Sequence, residues 1–318
     1  MSSSRPLLAV SCAVGASMFF SINDMGIKVL SSDYALHQIV LIRAVAALAV
    51  TLAILVPLEG GWRILKTRRP GMHLLRGLLV VASNMFFFLG LASVSLAEAT
   101  AIFFVAPLMI TAMSVMFLRE IVGWPRWLAV GVGLAGVVIM LRPGTEAFQV
   151  AALLPILAAL TYGALVLTAR LMRLSETAST MTFYVQLAFA AASAAFGVAF
   201  GDGRFSGSDS PSLEFLFRPW QPVPAVDVAV IVGVGAMSAF GGYLFTRAYA
   251  NAEAGLVAPF EYTALVMAIV WGILVFGEWP DAVAFLGMSL ILASGLFVLW
   301  RESRRGRVHV EHPRPSVS

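Results

Sequence analysis

VAPLMITA (residues 105–112) and VAPFEYTA (257–264) agree at five of eight positions, and each sits inside a long apolar run. An AEA triplet precedes each, at Ala97–Ala99 and Ala252–Ala254, and a Glu follows each where the run ends, at Glu120 and Glu278. The registers differ by three residues on the first side and six on the second, so the likeness is one of pattern rather than strict alignment. Two such segments in corresponding halves of one chain predict an internal repeat.

Working outward, the apolar runs number ten, at 7–30, 36–56, 72–93, 95–118, 124–141, 149–172, 178–200, 225–248, 253–277 and 280–300. About 20 apolar residues cross the ~30 Å hydrocarbon core of a bilayer. Unpaired backbone groups in lipid cost several kcal/mol each, and none of the runs alternates as a barrel strand does, so each is expected to be helical. Five runs per half is an odd number, so a second half with the same fold enters the membrane upside down. The expected fold is therefore an all-α integral membrane protein, with ten transmembrane helices in two inverted five-helix repeats over 7–145 and 146–300 and a basic tail at 301–318. Secondary transporters of that plan place the substrate near the midplane between the repeats.

Composition agrees. Of 318 residues, 60% are hydrophobic and 12% are charged, which leaves no room for a separate soluble domain. The net charge of +4 suits a membrane protein better than a nucleic-acid binder, and the single cysteine, Cys12, excludes an internal disulfide. The first run is longer than a usual signal h-region and is read as a retained helix. If the N-terminus is cytoplasmic, 15 of the 21 Lys and Arg fall in cytoplasmic segments, four on the opposite side, and Arg43 and Arg76 within spans. By the positive-inside bias, both termini of this multi-pass membrane protein face the cytoplasm. The longest connection, 201–224, lies outside, and its piece Leu213–Phe217 with Trp220 is either a lipid-interface segment or part of a solvated loop.

Pro107 and Pro259 each remove a backbone donor inside an apolar run, which predicts paired bends and a hinge role. Glycines 131, 133 and 136, with a weaker counterpart at Ser289, Ala293 and Gly295, make small-residue faces. Packing within one subunit is their expected use, and a homodimer contact is the alternative.

Ionisable groups inside spans are costly and usually face a cavity or a partner. Asp24 and Arg43 lie at equal depth, roughly 10 Å from the same surface by helical rise, so a salt bridge between them is expected, with Asn23 alongside. That pair serves either as a fixed helix register or as a charged cavity edge at which Arg43 offers its donor fork to an anion. Lys28, one turn away, reads as a snorkelling interface residue. Glu261 and Tyr262 follow Pro259. Both belong to the candidate substrate-binding set, and Glu261 is either a proton-coupling carboxylate or one that meets a cationic substrate, with Arg247 as its alternative partner. Asn84, Tyr162 and Gln186 complete the candidate substrate-binding set, because amides beside aromatics suit stacking and hydrogen bonding to a solute.

There is no phosphate-binding Gly-x-x-x-x-Gly-Lys loop, no His-Glu-x-x-His pair and no Gly-x-Ser-x-Gly elbow, so a pump driven by ATP on this chain and the matching hydrolases are unsupported. No catalytic residue, metal or cofactor is expected.

The segments AEAT, APL and RE of the first half and AEAG, APFEYT and FGE of the second, with GVGLAGVVIMLRPG at 131–144, resemble the ten-helix EamA-type proteins of the drug/metabolite transporter superfamily. Arg119 stands where that family commonly has Gly before its Glu. SINDMGIKVL (21–30), HQIVLIRAV (37–45) and RRPGMHLLRGLL (68–79) are similar to the subgroup of S-adenosylmethionine and riboflavin uptake transporters. The resemblance implies a carrier without enzyme activity that moves a small S-adenosylmethionine-, riboflavin- or amino-acid-like metabolite across the inner membrane. It leaves an exporter of the same fold open. A membrane-embedded enzyme or scaffold is the competing class.

Overall fold

A computed structural model describes residues 4–67, 69–118, 123–145, 149–172, 176–251 and 258–310. Among them are helices and turns but no strand. Helices α1 (Ser4–Leu30) and α2 (Leu36–Val50) are the first two spans, and α2 continues through a π-helical stretch, Thr51–Leu55, to Leu58. The third span is α3 (Pro70–Leu91). The fourth is broken into α4 (Leu96–Phe103) and α5 (Ala106–Leu118), and the fifth is α6 (Trp124–Leu141). In the second half, α7 (Leu154–Met172) and α8 (Ala178–Phe200) are spans six and seven, and a short helix, α9 (Pro211–Phe217), lies in the connection to span eight, α10 (Ala225–Asn251). Span nine is a 3-10 turn, Ala258–Tyr262, running into α11 (Thr263–Phe276), and span ten is α12 (Ala282–Val310). The last helix thus continues well past Trp300 into the segment read as a tail.

Six of these helices are long and apolar enough to cross a membrane outright. Leu96–Ile110, Trp127–Leu141, Phe260–Phe276 and Ala282–Val298 supply four shorter apolar segments. Large apolar side chains such as Val198 (91% exposed) and Leu274 (72%) point away from the protein, as lipid-facing residues must.

Helix packing shows the repeat directly. Adding five to each span number maps the contacts onto themselves: α1 packs on α10 as α7 packs on α3, α2 on α10 as α8 on α3, and α1 on α11 as α7 on α4 and α5. The self-related pairs α2 with α8, α4 with α11, and α6 with α12 close the arrangement. The two halves therefore interlock about a pseudo-two-fold axis. Connections one, three, five, seven and nine gather at what is here termed the odd end, and the others at the even end.

The small-residue face of the fifth span is spent on this axis. A methyl on Gly136 would stand 2.8 Å from the Gly287 carbonyl of α12, and one on Gly133 would overlap Leu108 and the Ser294 hydroxyl. Close backbone approach here needs glycine. Gly131 faces open space.

The spans containing the duplicated motif are the discontinuous ones. Phe104 and Val105 leave the helix just before Pro107, whose ring nitrogen cannot donate to the turn before it. A continuous helix over 95–118 is thereby corrected. In span nine the described part of the motif forms a 3-10 turn at Ala258–Tyr262 that runs into an α-helix from Thr263, and residues 252–257 lie outside the described residues. Glu120, Arg119 and the second AEA triplet lie outside the described residues. The first triplet turns out to be a helix start: the Ser95 hydroxyl accepts from the Glu98 amide at 3.2 Å, and the Glu98 carboxylate accepts back, a capping box.

Candidate functional site

Arg43, seven residues into α2, is 2% exposed. The expected ion pair with Asp24 is corrected: Arg43 Nη1 donates to Asn23 Oδ1 at 3.0 Å, and Asn23 Nδ2 donates to Asp24 Oδ1 at 2.9 Å. The amide of Asn23 is interposed because it offers an acceptor to one neighbour and a donor to the other. The guanidinium carbon lies 5.7 Å from the Phe88 ring of α3 and 5.0 Å from the Phe189 ring of α8. Each such contact is worth up to about 2 kcal/mol when desolvated. Nε and Nη2 have no partner in the protein. Each buried unmet donor costs about 1–3 kcal/mol, so this site is incomplete by itself.

A cavity of about 30 Å³, room for roughly one water, is lined by the same Phe88 and Phe189, with His37, Asn84 and Ser193. Trp220 Nε1 donates to His37 Nδ1 at 2.5 Å, which places the imidazole proton on Nε2, itself buried and without a partner. Asn84 Nδ2 turns to its own helix, at Val80 O, 3.2 Å away. Gln186 of α8 donates from Nε2 to the Ser238 hydroxyl at 3.4 Å, and its Oε1 is unpartnered. His37 escaped sequence reading because a histidine at a helix start looks like an interface residue. Only the distant Trp220 reveals its role.

The remaining candidates form a second group. Glu261, in the 3-10 turn, lies within electrostatic reach of the phenols of Tyr162 and Tyr262. Its backbone carbonyl faces the Ser17 hydroxyl of α1 at 3.5 Å. The Tyr162 ring packs on Phe103 (5.3 Å between centroids) and that of Tyr262 stacks on Phe104 (4.7 Å), so both bracket the break in span four. The Tyr262 hydroxyl is turned against Gly295 of α12. Arg247 donates to the Tyr243 hydroxyl at 3.1 Å. Pro107 lies at the break, while the side chain of Pro259 lies outside the described residues. The structure thus links Asn23, Asp24 and Arg43, places Asn84 in the cavity lined by Phe88 and Phe189, and brings Glu261, Tyr162 and Tyr262 together in another group.

Bonds between halves close the odd end. Lys28 is no surface snorkel: Nζ lies 2.7 Å from Glu278 Oε1 and 2.9 Å from Val94 O, while Glu278 Oε2 accepts the Leu96 amide at 3.1 Å. Its partner is 250 positions away, so a local reading could not find it. Arg142 pairs with Asp281, and Tyr34 donates to Asp227, which pushes the phenol up to about 12. Gln38 and Gln221 exchange two bonds, at 2.6 and 3.3 Å. Helix α9 seals the same end with Phe215 buried and Ser212 donating to Leu89 O at 2.5 Å. It packs onto α2 and α3 through Phe215, so the solvated-loop reading of 213–217 is corrected, while Leu213 and Trp220 stay exposed.

Ten apolar helical segments in two interlocked five-span halves, with the motif-bearing spans broken, define a membrane transporter fold. The EamA-like transporter family model matches residues 7–142 and again 149–300, and the chain belongs to that family. It is 27% identical to an S-adenosylmethionine uptake transporter of Rickettsia prowazekii, over 89% of this chain and 90% of that one. It is 30% identical to a riboflavin transporter of Rhizobium johnstonii (78% and 76%) and 29% identical to one of Vibrio cholerae (95% and 96%). A solved crystal structure superposes with a TM-score of 0.63 over 96% of this chain and all of that one, at 18% identity, a likeness of fold.

Proposed function

We propose that this protein is a secondary carrier of the inner membrane, with both termini cytoplasmic, that moves its metabolite by alternating access. The repeats 7–145 and 146–300 rock about the pseudo-two-fold axis, and the odd end faces outward. Lys and Arg distribution supports the orientation. The observation that carries the mechanism is the interruption of regular α-helix in spans four and nine at the related motifs. Asn23, Asp24, Arg43, Asn84 and Gln186 serve the solute, Tyr162 and Tyr262 flank it, and Glu261 couples transport to protons, with Pro107 and Pro259 as hinges. The reading of the chain as a non-enzyme rests on the transporter names of its relatives.

Purified full-length protein in liposomes tests this. Counterflow of labelled S-adenosylmethionine or riboflavin that depends on the protein is the expected result. A flux that does not saturate and shows no exchange would indicate a pore instead. For coupling, Glu261→Gln is expected to retain counterflow while losing accumulation driven by a pH gradient. Accumulation equal to wild type would remove Glu261 from that role.

A further inference from the structure

Resting on the carrier reading above, we infer that the Arg43 site binds the α-amino-acid head of the transported solute, its carboxylate on Arg43 and its ammonium on Asp24. Three observations converge. Arg43 Nε and Nη2 are buried and unpartnered, while Nη1 is occupied by Asn23. The free pair is a side-on fork whose two parallel donors match the two oxygens of a carboxylate. The rings of Phe88 and Phe189 hold the guanidinium, so the fork is pre-oriented rather than floppy. The same two rings line a small cavity together with His37 and Asn84.

The charge count selects the ligand. One guanidinium, with a carboxyl one amide away at Asp24, gives a site close to neutral. A phosphate dianion would bring a second negative charge into a site with one cation, and buried unpaired charge costs several kcal/mol. An uncharged flavin would leave the Arg43 fork without an anion. A zwitterion satisfies both groups, and the aromatic walls take a planar substituent by stacking. The cavity holds only about one water in this closed form, so the solute enters when Phe88 of α3 and Phe189 of α8 part.

The test uses wild-type protein in liposomes and three probes: S-adenosylmethionine, its decarboxylated analogue, and riboflavin. Saturable uptake of S-adenosylmethionine is expected, with at least a tenfold weaker apparent affinity for the decarboxylated analogue and none for riboflavin. Arg43→Gln should remove the preference for S-adenosylmethionine over the decarboxylated analogue, and Arg43→Lys should recover part of it. Should the Gln variant fail to fold, the wild-type comparison still decides. Equal handling of the two adenosyl compounds overturns the carboxylate assignment. So does riboflavin uptake without S-adenosylmethionine uptake, which leaves the carrier reading standing. A protein that binds and moves none of the three overturns the amino-acid-head assignment, while the carrier reading is judged separately by its change of shape.

Discussion

Arg43 shows what a single residue contributes and what sequence says of it. Its depth, and that of Asp24, followed from counting helical rise, and the structure brings them together through Asn23. That Asn23 would stand between them was not legible, because it depends on rotamers rather than spacing. Tyr262 makes a sharper test of residue-level packing. A methyl added at Gly295 would lie 1.6 Å from the Tyr262 hydroxyl and 2.8 Å from the ring carbon bearing it. Overpacking of this kind typically costs about 1–3 kcal/mol, so Gly295→Ala should lower the thermal midpoint in detergent. Adding Tyr262→Phe should restore part of the loss, because the nearest clashing atom is the hydroxyl. No recovery would mean that the clash is relieved elsewhere.

At the scale of elements, spans four and nine are the two that depart from regular α-helix at the repeated motif. The prolines marked them in the sequence, but the extent of the breaks did not follow from composition, since both spans are apolar enough to read as continuous. Pro107→Ala should let α4 and α5 fuse by restoring a donor and removing the ring clash. The expected outcome is a transport rate several-fold lower with substrate affinity little changed, measured by initial uptake across concentrations. An unchanged rate would separate the break from the transport cycle. The seal at α9 was misread for a related reason: a seven-residue segment in a Gly, Ser and Pro-rich connection carries too little pattern to show which side its Phe215 takes. Trp220 behind it lies flat on Gly197, where a methyl would come within 2.1 Å of the indole. Gly197→Ala should therefore displace Trp220 from His37 and destabilise the odd end, read as faster hydrogen exchange in residues 211–224.

For the whole molecule, the ten spans and their division into halves were legible because bilayer thickness fixes span length and an odd repeat fixes inversion. The bonds that close one end were not, because they join residues more than a hundred positions apart. They are unequal in strength. Arg142 and Asp281 form an exposed pair. Arg142 and the Ala284 amide hold the Asp281 carboxyl below the usual carboxylate range. A lowered folded-state pKa adds stability above the unfolded value of about 4 and loses it as pH falls through the folded value, so this tie should persist at neutral pH and loosen only in strong acid. Its contribution is small, since the pair is screened by water. The Lys28–Glu278 bridge is better shielded, with Lys28 11% and Glu278 30% exposed, and it ties span one to the end of span nine. It is the contact that must break if the odd end opens.

Spin labels at Ser32 and Trp279, both replaced by Cys in a Cys12→Ser background, report that opening as a distance between halves in lipid nanodiscs. The account predicts a short distance matching the closed form and a longer one, whose balance shifts on adding transported solute and moves toward the longer when Lys28→Met removes the bridge. A single distance, unmoved by solute and by Lys28→Met, would contradict alternating access between the two halves.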